Sequence, residues 1–114
     1  MSEDRAVFEA LLAAKESGEL VALATVVNVQ GSVPRHAGSK MLVRQNGSIV
    51  GTVGGGLMEA QVIKEALAAL QDGLTRLPSY TLNDIASGDP GVCGGTVQVF
   101  IEPLGVAPTL LIIG

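Results

Sequence analysis

Residues able to do chemistry gather in three glycine-rich segments of this sequence: Gly31-Ser-Val-Pro-Arg-His-Ala-Gly-Ser-Lys-Met41, Gly51-Thr-Val-Gly-Gly-Gly-Leu-Met-Glu59 and Gly91-Val-Cys-Gly-Gly95. In the first, two glycines and a proline shape a loop with Arg35 and His36 near its tip. A guanidinium is a planar fork of donors suited to phosphate or carboxylate, although composition alone slightly favours a surface turn with a solvated arginine. Lys40 could add a second positive charge, but strand alternation points it away. His36, the only histidine, has no partners at metal-ligand spacing, so no metal site is expected. In the second segment Gly54, Gly55 and Gly56 precede a predicted helix, whose first N–H groups are unpaired and whose dipole is positive there. Such a turn can hold an anion. It matches neither the dinucleotide fingerprint nor a P-loop. Glu59 falls in the first helical turn, where it either balances the dipole or serves a pocket as acid, base or hydrogen-bond partner. In the third, Cys93 is flanked by glycines, which suits an exposed thiolate of lowered pKa. Burial in a strand-entry turn explains a lone cysteine more simply.

These segments need elements to hold them. Apolar residues recur at helical spacing from Asp4 to Ser17, with Gly18 as the stop. Leu20 to Val29 is β-branched with little alternation, and reads as a strand buried on both faces that breaks at Gly31. Lys40–Arg44 and Ser48–Val53 flank Gln45-Asn46-Gly47, a hairpin signal. Leu57, Ala60, Ile63, Leu67 and Leu70 define one face of a second helix that ends near Asp72-Gly73. Thr75–Leu82 and Thr96–Glu102 supply two further strands around the loop Asn83–Gly91. The expected fold is α/β of the α+β kind, a mixed sheet of about five strands with two main helices. Pro103 to Pro108 is expected to break any continuing strand and mark a domain boundary. Thr109-Leu-Leu-Ile-Ile-Gly114 has the form of the first strand and glycine turn of a Rossmann-like domain that would continue beyond it. The expected domains are therefore 1–104 and a linker with first strand, 105–114.

Composition narrows the partners. With 47% hydrophobic residues and 16% charged, the chain is rich enough to fill one core. A net charge of -4 and only 3% aromatic residues disfavour a phosphodiester backbone and base stacking alike, so nucleic acid is not an expected partner. No run approaches a membrane span, and the charged start Met1-Ser-Glu-Asp-Arg5 is unlike a signal peptide. The default location is the cytoplasm, in keeping with a single cysteine.

Taken in order, the three segments, the third extended through Thr96-Val-Gln-Val-Phe-Ile-Glu-Pro-Leu104, resemble the N-terminal domain of the XdhC/CoxI family. These are accessory proteins for xanthine dehydrogenase, carbon monoxide dehydrogenase and related molybdenum hydroxylases. The likeness runs from the first helix to Leu104. It implies transient binding of the molybdenum cofactor (molybdopterin), assistance with its sulfuration, and its insertion into a molybdenum hydroxylase client. It also implies a homo-oligomer and a cysteine desulfurase partner. By motif position, Arg35, Gly54, Gly55, Gly56 and Cys93 are the implied cofactor-binding residues, with Cys93 and Glu59 as catalytic candidates. A phosphate and an oxo-rich, sulfur-bound metal suit an arginine, free backbone N–H groups and a soft thiolate. Two other readings stand beside it. One is an oxidoreductase with its NAD(P) site in the following domain and this part as substrate lid or dimerisation element. The other is an interaction module that holds a partner enzyme without any cofactor.

Overall fold

The computed structural model describes residues 2–31, 37–54, 56–83 and 93–105. In chain order the elements are α1 (Ser2–Ser17), β1 (Val21–Gln30), β2 (Lys40–Arg44), β3 (Ile49–Gly51), α2 (Gly56–Asp72), β4 (Ser79–Asn83) and β5 (Cys93–Leu104). The five strands form one sheet in the order β3-β2-β1-β5-β4. All four pairings are antiparallel, where a mixed sheet was expected. The reason lies in the connection through α2. It carries the chain from one edge of the sheet to the other, so β3 and β4 run the same way but are kept apart by the three strands between them. No helix among the described residues is long and apolar enough to cross a membrane.

Side-chain alternation along β1 assigns a helix to each face of the sheet. Ala22, Ala24 and Val26 meet Met58, Val62, Ala66 and Ala69 of α2, together with Met41, Val43, Val97, Val99 and Ile101. Val21 and Leu23 point the other way, toward Val7 and Ala14 of α1, with Leu42 beside them. The first half of β1 is thus buried on both faces, as expected of the whole run from Leu20 to Val29, whereas in the second half Val27 and Asn28 are exposed. Each such fully buried Val, Leu or Ile contributes roughly 1.5–3 kcal/mol of transfer free energy. The core face of α2 is displaced from the one its leucines suggest. Leu57 is 78% exposed, and small Ala66 and Ala69 let the helix approach the sheet closely while Ile63, Leu67 and Leu70 fill in at the flanks.

Two irregularities shape the strands. At Val27, β1 carries one extra residue: Val26 pairs with Val99, but Asn28 already pairs with Gln98. The bulge reverses the alternation, so Val29 packs on the α2 side and Asn28 and Gln30 turn to the opposite face. The loop after β1 is tied down there, Val26 N–H donating to Ser39 O at 2.9 Å and Gly38 N–H to Val26 O at 2.6 Å. At the other end, β5 continues through Pro103, which pairs with Ala22, and does not break where the proline was expected to end it. Ile101 N–H points away from β1 to Arg76 O at 2.8 Å, and the nitrogen two residues on points the same way. Among the described residues no strand lies on that side of Pro103, so its missing N–H costs no ladder bond.

The β2–β3 hairpin closes around Gln45-Asn46-Gly47 as expected. Gly47 N–H donates to Arg44 O and Arg44 N–H to Ser48 O, both at 2.9 Å, with Gly47 at φ 88°. Asn46 Oδ1 accepts from Ser48 N–H at 2.9 Å, fixing the turn locally.

Candidate functional site

Because neighbours alternate in direction, the ends of β1, β3 and β4 and the beginnings of β2 and β5 point the same way, but they stand at different levels of the sheet. Gly51 pairs with Met41, Met41 with Ala24, and Ala24 with Ile101, so the turn into α2 leaves the sheet at the level of Ile101. Cys93 lies eight positions further along β5, beside Asn83 of β4. At about 3.3 Å per residue that is roughly 26 Å along a straight strand. Arg35, His36 and Gly55 lie outside the described residues, as does the side chain of Cys93.

What the chain does bring together is Gly54 and Glu59, through a residue whose importance the sequence does not announce. Thr52 Oγ1 stands 2.8 Å from Gly54 O and 2.9 Å from Glu59 Oε2, and accepts the Gly54 N–H at 3.1 Å. One hydroxyl therefore braces the turn and holds the half-buried carboxylate at the positive end of α2. The Gly54 N–H is already engaged, so the donors this helix start offers to an incoming anion begin at Gly56. Gly54 is also closely packed: an added Cβ would lie 3.2 Å from Met58 Sδ, which would have to give by a few tenths of an ångström. Lys40, as alternation implies, turns away from this turn. It donates to Gly38 O at 3.0 Å and sits 5.7 Å from the centre of the Phe8 ring of α1.

Beyond α1, on its side of the sheet, the second half of the β1–β5–β4 ribbon has no helix over it among the described residues. Asn28, Gln30, Ser79, Thr96 and Gln98 line a groove of about 220 Å³ there. None of the five was singled out by sequence, because their common face depends on the bulge at Val27. A second cleft, of about 290 Å³, opens at the far end of the molecule beside Leu20, Gln45, Leu67, Leu70 and Gln71.

Among the ionisable side chains near α2, Arg76 draws Asp72 and Glu65 together, its Nη2 2.7 Å from Asp72 Oδ2 and its Nε 3.4 Å from Glu65 Oε1. The hydrogen bond from Arg76, with that from Leu74 N–H, holds the Asp72 carboxyl below its usual value. Tyr80 packs against the α2 side of the core. Burial, with the nearby Glu65 charge, pushes its phenol up to about 12.

An antiparallel α+β domain, helix on each face, with glycines and a braced carboxylate at a helix start, is the class these features define. The chain belongs to the XdhC and CoxI family, whose model matches residues 14–81. It is 35% identical over 106 residues to a protein of Bacillus subtilis described as a probable xanthine dehydrogenase component, an alignment covering 90% of this chain and 31% of that one. It is 31% identical over 114 residues to the molybdenum cofactor insertion chaperone PaoD of Escherichia coli, covering 96% of this chain and 34% of PaoD. An uncharacterized Escherichia coli protein, YqeB, is 46% identical over 94 residues, 82% of this chain and 17% of its own. A crystal structure of a xanthine dehydrogenase from Bacillus halodurans superposes with a TM-score of 0.70 at 29% identity, over 86% of this chain and 30% of that one. The chain thus spans from about a sixth to a third of the length of the curated relatives it matches.

Proposed function

We propose that this domain is the part of a molybdenum hydroxylase maturation factor that receives the molybdenum cofactor, assists its sulfuration and passes it to the client enzyme. The observation that carries the reading is the likeness to family members: the family's model matches residues 14–81, and one relative, aligned across 96% of the chain, is a molybdenum cofactor insertion chaperone. The donor set fits such a group in kind. The first turn of α2 from Gly56 offers N–H donors, Glu59 is held in place by Thr52, and the sequence supplies Arg35 and Cys93 in the two other glycine-rich segments. When bound, the cofactor supplies the metal centre at which a terminal sulfur is carried.

In this reading Arg35 and the helix-start N–H groups hold the anionic end of the cofactor, Glu59 accepts a hydrogen bond from it, and Cys93 is the thiolate nearest its metal. A cytoplasmic homo-oligomer with a cysteine desulfurase as partner, and with residues 105–114 as the linker and first strand of a second, Rossmann-like domain, completes the proposal. The test is cofactor retention by the full-length protein, read as molybdenum and pterin co-eluting with protein on gel filtration. Retention by the wild type and its loss in Cys93→Ser and Glu59→Gln are expected. Undiminished retention in Cys93→Ser removes that residue from the site, and none in the wild type rejects the function.

The relatives described as xanthine dehydrogenases support a second reading, in which this domain is the lid or dimerisation element of an oxidoreductase whose NAD(P) site lies in the following domain. Hydride transfer from NAD(P)H by the full-length protein, without any client enzyme, would favour it over a chaperone.

A further inference from the structure

The open face of the β1–β5–β4 ribbon carries a pattern that packing does not require. Asn28 and Gln98 are cross-strand partners, Gln98 pairs in turn with Ser79, and Gln30 pairs with Thr96. They form two adjacent rows across three strands, about 4.8 Å apart between strands and about 7 Å apart between rows. All five side chains are uncharged, three are carboxamides, and among the described residues no helix lies over them. A carboxamide presents two donors and an acceptor in one plane, and a hydroxyl is both donor and acceptor. Such a surface carries no charge to balance that of a bare anion or a metal ion. It matches a flat, neutral ligand whose edge alternates N–H and C=O groups, the kind of edge on which Asn and Gln form paired hydrogen bonds. The groove, about 220 Å³, falls below the roughly 300–1,000 Å³ of sites that enclose a whole ligand, so it fits one ring system of a larger molecule.

We infer that Asn28, Gln30 and Gln98, with Ser79 and Thr96, form a subsite for the amide-bearing heterocycle of the ligand, apart from the helix start at Glu59. The identity of that heterocycle as a pterin rests on the function proposed above. The bulge at Val27 is what creates the subsite, since without it Asn28 and Gln30 would face α2.

The experiment titrates full-length protein with 6-hydroxymethylpterin, a probe with neither metal nor phosphate, by fluorescence quenching. Circular dichroism checks that each variant is folded, and cofactor retention is measured in parallel. Gln98→Leu and Gln98→Glu are expected to weaken pterin binding by roughly tenfold or more, since each destroys a paired hydrogen bond. Gln45→Leu, in the cleft at the other end of the molecule, is expected to leave it unchanged. Equal affinity in folded Gln98→Leu and Gln98→Glu overturns the subsite while the cofactor-binding function stands. Retention of cofactor with no measurable binding of the pterin also overturns it. A wild type that holds neither cofactor nor pterin overturns the function itself and the subsite with it.

Discussion

The Thr52 hydroxyl lies 2.9 Å from Glu59 Oε2, so that a residue just outside β3 and one inside the first turn of α2 form a single brace. Because the same oxygen accepts the Gly54 N–H, its removal frees two groups at once. Thr52→Val keeps the shape and deletes the hydroxyl, and should destabilise the domain by about 1–2 kcal/mol in urea denaturation. Thr52→Ser should restore most of the loss. An unchanged unfolding midpoint in Thr52→Val would mean that the turn is held by packing around Met58 alone.

Glycine matters at Gly51 for a different reason. Its φ is 82°, and an added Cβ would lie 2.6 Å from Lys40 O and 2.7 Å from Val7 Cγ2, where α1 presses on the sheet edge. Gly47 has a similar φ of 88° with open space around it. Gly47→Ala should therefore cost about 1–2 kcal/mol, the left-handed penalty alone. Gly51→Ala must also push α1 and β2 apart, and should cost clearly more. Paired denaturation curves of the two variants check the difference, and equal losses would count against the close approach of α1.

Much of this fold is legible in the sequence because local signals agree with it. The Asn46-Gly47 hairpin, the stop of α1 at Gly18 and the span of α2 are set by residues that act within a turn or two of themselves. The open polar groove is not legible in this way. Whether Asn28 or Val29 faces the core depends on one unpaired residue, Val27, and on where Val99 and Gln98 fall opposite it, a contact made some 70 residues away in sequence. Likewise, Leu57 and Ala60 suit the buried face of a helix by spacing, but the closeness allowed by Ala66 and Ala69 decides which face is buried. At the candidate site, glycines and Glu59 stand out by type. Thr52 does not, since its role comes from reaching across seven residues.

Tyr80 makes stability at high pH measurable from one side chain, being the only tyrosine. Its hydroxyl is buried without a hydrogen-bond partner among the described residues, and burial with the Glu65 charge raises its pKa to about 12, against about 10 in an unfolded chain. The folded form therefore keeps a proton that the unfolded form releases. The stability this represents is fully present below pH ~10 and is lost as pH rises through about 12. Tyrosinate absorbance should report the raised pKa in buffer and the ordinary one in urea. Tyr80→Phe should remove this part of the alkaline loss while leaving stability at neutral pH equal or higher. At acid pH the sign reverses for Asp72, whose lowered pKa means stability present above the ordinary carboxyl range and lost as pH falls through the folded value. Asp72→Asn should flatten that limb.

Deletion of Val27 tests whether the bulge does no more than keep the two halves of β1 in phase with β5. With the extra residue gone, pairing beyond Val26↔Val99 would run without a shift, and Asn28 would still stand opposite Gln98. Val29 would therefore stay on the α2 side, and Asn28 and Gln30 on the open face. Only the exposed side chain of Val27 and the local bend are lost, so stability should change by less than about 1 kcal/mol. Hydrogen exchange at Val97 and Gln98 should keep its protection. Loss of protection there, or a fall of several kcal/mol in stability, would show that the β1–β5 ribbon needs the bend and added twist of the bulge as well as its phase.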